Sequence, residues 1–202
     1  MTRYAQVLLA AFLVGLVLVA AFLADNVSAD VTSVADFTRD PTAVAGVPWW
    51  TGAISRLTAL GWIVAATAAI LAGRRHVGTD QRPRLLFLGG LCGVSALDDS
   101  LLLHEEVLPS LGLPEEAFLV LYAMAGLVLG IMWVRSHQWT LIELTFFAGA
   151  VMLATSVVVD AFVNQAIVED IAKVIGVVAW AFCGLWAHED AWRGPRLHER
   201  GP

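Results

Sequence analysis

The chain has 202 residues, 58% of them hydrophobic and only 15% charged, with a mean hydropathy of +0.74 and a net charge of −6. So little charge excludes an ordinary soluble domain. An acidic balance with a single lysine and no basic tract excludes a nucleic-acid-binding protein.

No linker or low-complexity segment divides the chain, so one integral membrane domain over residues 1–202 is expected. Six stretches approach the roughly 20 residues that cross a bilayer, at 5–24, 52–72, 85–105, 117–134, 140–160 and 168–187. They predict an all-α, polytopic transmembrane bundle of six helices. The first stretch is followed by "VSA", a small-residue pattern typical of signal-peptide cleavage. Its apolar core of residues 7–24 exceeds the usual h-region of about 7–15 residues, so it reads as a retained helix. An external loop is expected at 25–51, carrying "DFTRDP" and "VPWW". The second span opens near Arg56, the third ends in "LDDSLLLHEE", the fifth ends in Asp160, and the sixth opens with "VEDIAK". The third and sixth carry charge at one end, which makes them the less apolar of the six. Cys92 and Cys183 lie inside apolar stretches, as small packing residues do. Gly89/Gly93 and Gly126/Gly130 have the spacing that lets membrane helices approach closely.

Orientation follows from the arginines. Nine of the twelve basic residues fall on one side of this arrangement: Arg3, Arg74, Arg75, Arg82, Arg84, Arg135, Arg193, Arg196 and Arg200. By the positive-inside rule both termini are cytoplasmic and the host is the cytoplasmic membrane. Trp133, Trp139, Trp186 and Trp192 then mark the inner interface. The ionisable groups of "LDDSLLLHEE" and "VEDIAK", with Asp160 and Arg56, share the outer level, where His104 is the single histidine.

On a continuous helix Asp98 and Glu105 differ by roughly 20° and lie about 10 Å apart along the axis, while His104 is roughly 120° away from their stripe. Asp98 sits deep, where an unpaired charge costs about 2.5–3.5 kcal/mol or more. The expected remedy is an ion pair of Asp98 with Lys173 or with Arg56. The candidates for a metal or proton site are Asp98, Asp99, His104, Glu105, Asp160, Glu169 and Asp170. One histidine and no cysteine disfavour a three-ligand zinc site; a carboxylate-rich set suits magnesium, calcium or manganese, and carboxylates with one histidine suit iron or manganese. No P-loop, dinucleotide fingerprint or nucleophile elbow is present, so no catalytic residue and no organic cofactor is assigned.

"ALDDSLLLHEEVLP" resembles the L-D-E-x4-H-E segment of a loose group of uncharacterised bacterial multi-pass membrane proteins. "VEDIAKVIG" is similar to the acidic opening of a later helix in that group. The resemblance implies Asp98, Asp99, His104, Glu105, Glu169 and Asp170 as site residues. The chain departs from the group at Asp99, usually glutamate there, and at Lys173, where an acid is expected. No activity comes with the resemblance.

Three readings stay open. The external cluster binds a metal ion or handles protons; the protein is a membrane-embedded, metal-dependent hydrolase acting on lipid; or it is a structural subunit whose charges pair helices. The partners expected are the lipid bilayer and a membrane protein or a second copy of the chain.

Overall fold

A computed structural model of the chain describes residues 46–48, 52–135, 140–163 and 166–198. The expected span at 5–24 and all of the expected loop except residues 46–48 lie outside them. The described helices belong to one compact unit, residues 52–202. In order they are α1 (Ala53–Arg75), α2 (Gln81–Leu101), a π-turn (Leu103–Val107), the single turn α3 (Leu108–Ser110), α4 (Glu115–Val134), α5 (Leu141–Val163) and α6 (Ala166–His198). The protein is an all-α helix bundle, with no strand among the described residues.

Small residues decide which helices meet. The face of α1 formed by Ala65, Ala66, Ala68, Ala69 and Ala72 is buried, and two helices approach it closely. From α2, Gly89 lies so near that an added Cβ would stand 2.6 Å from Ile70 and 3.1 Å from the Ala66 carbonyl. From α6, a Cβ on Gly184 would stand 2.7 Å from the Ala69 nitrogen. Gly149 of α5 and Gly176 of α6 face one another in the same way. This is the packing of membrane helices, where close backbone approach replaces a hydrophobic driving force. The result is a layer in the order α2–α1–α6–α5, while α4 touches α2 and α5 only lightly. Of the expected glycine contacts, Gly89 makes one, whereas Gly93, Gly126 and Gly130 face open space.

Aromatic rings fill the centre of the layer. Phe146 is stacked between Trp133 at 4.8 Å and Trp180 at 5.7 Å, and Trp180 meets Trp62 edge-on at 6.0 Å. Trp133, expected at the membrane interface, is therefore a core residue, 1% exposed. Trp192 is exposed and Trp186 is half-buried. Cys92 and Cys183 are free and buried.

The outward faces carry large apolar side chains throughout, among them Leu57, Leu60, Leu121, Leu127, Val151, Phe162 and Leu185. An aqueous surface rarely tolerates so much exposed hydrocarbon. Three helices are long and apolar enough to cross a membrane, at Ala53–Arg75, Ala117–Val134 and Leu141–Asp160. Charge enters α2 and α6 near their ends. α2 carries Arg82 and Arg84 at its start with Asp98 and Asp99 near its end, and α6 carries Glu169, Asp170 and Lys173 in its opening turns. At about 1.5 Å per residue, the 21 residues of α2 still span about 31 Å.

Candidate functional site

α1, α4 and α6 begin, and α2 and α5 finish, at the same end of the bundle. A cavity of about 500 Å³ opens there between the four-helix layer and α4. Leu91, Leu119, Leu127, Leu153 and Val157 form its apolar wall, Trp180 lies in it, and the polar groups are Trp62, Ser95, Asp98, Asp99, His104, Tyr122, Ser156, Asp160, Glu169 and Lys173.

Asp98 and Asp99 are consecutive, so their side chains leave α2 about 100° apart and serve different neighbours. Asp98 is 4% exposed. Its Oδ2 accepts a hydrogen bond from the Tyr122 hydroxyl of α4 at 2.8 Å, and its Oδ1 accepts one from the His104 backbone N–H at 2.9 Å. The His104 ring also reaches it, with Nδ1 2.8 Å from Oδ2. That approach is bent away from the ring N–H direction, so it is a close charge contact more than an aligned hydrogen bond. Asp99 turns toward the layer. Its Oδ2 accepts from the Trp62 indole N–H of α1 at 2.9 Å, and its Oδ1 lies 3.2 Å from Lys173 Nζ of α6.

The expected pairing of Asp98 with Lys173 is corrected. Lys173 pairs with Asp99 rather than Asp98, because Asp98 points toward α4 and the π-turn. Arg56 stands exposed in the first turn of α1 and does not line the cavity. Nor does the third span run unbroken from 85 to 105. α2 ends at Leu101, and Leu102 adopts the left-handed conformation, φ 51° and ψ 41°. Its N–H bonds back to the Asp98 carbonyl. The following π-turn is tied by Val107 N–H to Leu102 O at 3.2 Å. The stripe geometry of a continuous helix therefore does not apply: the break folds His104 back over Asp98.

Of the other candidates, Asp160 and Glu169 line the cavity, and Asp170 is half-buried beside Glu169 but off the wall. Glu105 lies in the π-turn, and its side chain is outside the described part. Among the described residues no three His, Cys, Asp or Glu side chains gather closely enough to hold a metal ion. The two acids are instead held by protein groups, Asp98 by Tyr122 and His104 and Asp99 by Trp62 and Lys173.

Tyr122 and Trp62 were missed in the sequence. The available signal was a polar-tipped aromatic inside an apolar span, whose O–H or N–H must find an acceptor once buried. A second buried pair was missed at the opposite end. Arg84 and Glu143, 3% and 1% exposed, approach to 3.8 Å. Arg84 Nε donates to the Asp80 carbonyl at 2.9 Å, and its guanidinium lies over the Trp133 ring at 5.0 Å. Glu143 Oε2 accepts from the Thr140 N–H at 3.0 Å and from the Thr140 hydroxyl. "TLIE" at 140–143 thus forms one arm of a capping box at the start of α5.

Residues 10–187 match the family model described as "Domain of unknown function (DUF8692)". The chain matches none of the curated proteins and none of the solved structures with which it was compared.

Proposed function

The chain belongs to this family of unknown function, and from its site we propose a multi-pass protein of the cytoplasmic membrane, both termini inside, whose Asp98–His104–Tyr122 cluster exchanges protons with a molecule entering the cavity from the outer side. The observation that carries this is the 2.8 Å approach of His104 Nδ1 to a buried Asp98 oxygen. Two bare lone pairs repel at that distance, so one of the two atoms has to carry a proton. When Asp98 is ionised that proton belongs to Nδ1, which leaves Nε2 with the lone pair that accepts a proton; a carboxylate commonly fixes an imidazole this way. Tyr122, donating to the same oxygen, keeps the carboxylate in place. The positive-inside asymmetry of the basic residues supports the outer placement.

Histidine tautomers are read by 15N NMR in nanodiscs. The His104 signal, assigned by its loss in His104→Gln, is expected to show the Nδ1–H tautomer at neutral pH. Asp98→Asn should shift it toward the Nε2–H form that free imidazole prefers. An Nε2–H tautomer in the unsubstituted protein, or one indifferent to Asp98→Asn, overturns the proposal.

A further inference from the structure

One hydroxyl on the cavity wall is left unmet. Ser156 of α5 is 5% exposed and lines the cavity, about one turn below Asp160. Hydroxyls inside apolar helices commonly bond back to a carbonyl of the preceding turn. Thr58, Thr145 and its own neighbour Thr155 each donate to the carbonyl four residues earlier. The Ser156 hydroxyl has no hydrogen-bond partner among the described residues. A buried hydroxyl without a partner is costly, and the space this one borders is the cavity.

The rest of the wall says what shape of molecule can meet it. At about 500 Å³ the cavity falls within the roughly 300–1,000 Å³ of small-molecule sites. At about 30 Å³ for each water-sized group it has room for roughly sixteen such groups. That suits one alkyl chain with a small head and is too little for a two-chain lipid. Leu127 of α4 and Val157 and Val158 of α5 line the cavity and are also exposed, and these two helices barely touch. The cavity therefore opens sideways onto lipid, between α4 and α5. Its charged groups favour an uncharged head. Asp98 is held by Tyr122 and His104, Asp99 by Trp62 and Lys173, and Glu169 is likewise engaged. Asp160 is exposed, where water and salt screen it. A head of either sign would lose hydration without a free buried countercharge to replace it. An uncharged hydroxyl needs only a hydrogen-bonding partner, and Ser156 is one.

We infer that the cavity binds an uncharged single-chain lipid alcohol, its chain between α4 and α5 and its hydroxyl on Ser156. This rests on reading the cavity as the place where the proton-exchanging cluster meets its ligand. It adds the ligand's class: a hydroxyl carries the kind of proton that a neutral imidazole accepts.

Trp62 and Trp180 lie on the cavity wall and report occupancy. In nanodiscs of neutral lipid, tryptophan quenching is measured with ω-bromoundecanol, 1-bromoundecane, ω-bromoundecanoate and ω-bromoundecyl trimethylammonium at matched mole fractions in the membrane. Saturable quenching by the alcohol is expected at about fivefold lower mole fraction than by the bare hydrocarbon, the worth of one hydrogen bond. The two charged probes should do no better than the hydrocarbon. Ser156→Ala removes only the hydroxyl and should bring the alcohol to the hydrocarbon's level. At Gly126 an added side chain meets open space on the cavity wall, so Gly126→Phe should abolish saturable quenching by all four. The inference is overturned if the hydrocarbon, the carboxylate or the ammonium matches the alcohol, if the alcohol's preference survives Ser156→Ala, or if no quenching saturates. The tautomer of His104 is read without any ligand, so failure here leaves the proton-exchange proposal standing, and failure there leaves alcohol binding to be judged by quenching.

Discussion

Lys173 supplies the ammonium on the described cavity wall, held 3.2 Å from Asp99 at the edge of water: Asp99 is 9% exposed and Lys173 25%. Exposed pairs are worth about 0–1 kcal/mol, and breaking a fully buried one costs about 3–5 kcal/mol. A half-buried pair belongs between them, near 2 kcal/mol. Asp99→Asn and Lys173→Met should each lower the thermal midpoint in detergent, and the double variant should recover much of the loss. Asp98→Asn combined with Lys173→Met should be additive instead, since the two residues serve different partners; recovery in that combination would contradict the assigned pairing. The Arg84–Glu143 pair lies deeper. Glu143→Ala strands a buried guanidinium and removes the capping-box acceptor, so a loss of about 3–5 kcal/mol is expected, exceeding that of Glu143→Gln, which keeps the acceptor. Melting curves of the two variants check the order.

The break at the end of α2 is what turns a row of acidic residues into a site. A left-handed conformation costs an L-residue about 1–2 kcal/mol, and more when the side chain is β-branched. Leu102→Val should therefore lower the thermal midpoint and weaken the hold of His104 on Asp98, seen as a mixed tautomer population. Leu102→Gly, which takes that conformation freely, should keep both. The spans were legible because apolar length is a strong signal: the expected 52–72, 117–134 and 140–160 correspond to Ala53–Arg75, Glu115–Val134 and Leu141–Val163. The charges flanking the third and sixth spans marked the end where the cavity lies equally plainly. The break was not legible, because no glycine or proline announces it; "SLLLHEE" reads as uninterrupted helix, and only tertiary contacts with Tyr122 and Trp62 fix where it stops. The pairing of Lys173 was misjudged for a related reason. Depth along a helix axis follows from sequence, but the direction of a side chain toward one neighbour follows from helix order, and the insertion of α1 between α2 and α6 is not written in any motif. Glu143 was missed, although Thr140 three residues earlier carries the capping-box spacing.

For the molecule as a whole, apolar outer faces, three membrane-length helices and one charged, hollow end make a coherent design. The layer α2–α1–α6–α5 is locked by glycine and alanine contacts. α4, lightly attached, closes the cavity and brings Tyr122 to Asp98. The account rests on the claim that this cavity is acidic, accessible and on the outer face of the membrane. Ala123 lines it from α4, while Cys92 and Cys183 are buried and silent to thiol reagents. Thr79, exposed in the turn between α1 and α2 at the opposite end, gives an inner-face control. The most direct measurement is the labelling of Ala123→Cys in intact cells by membrane-impermeant methanethiosulfonates, one cationic and one anionic, beside Thr79→Cys. The account predicts that Ala123→Cys reacts from outside, faster with the cationic reagent, and that Thr79→Cys reacts only after permeabilisation. Labelling of Ala123→Cys only after permeabilisation, or faster labelling by the anionic reagent, would contradict it.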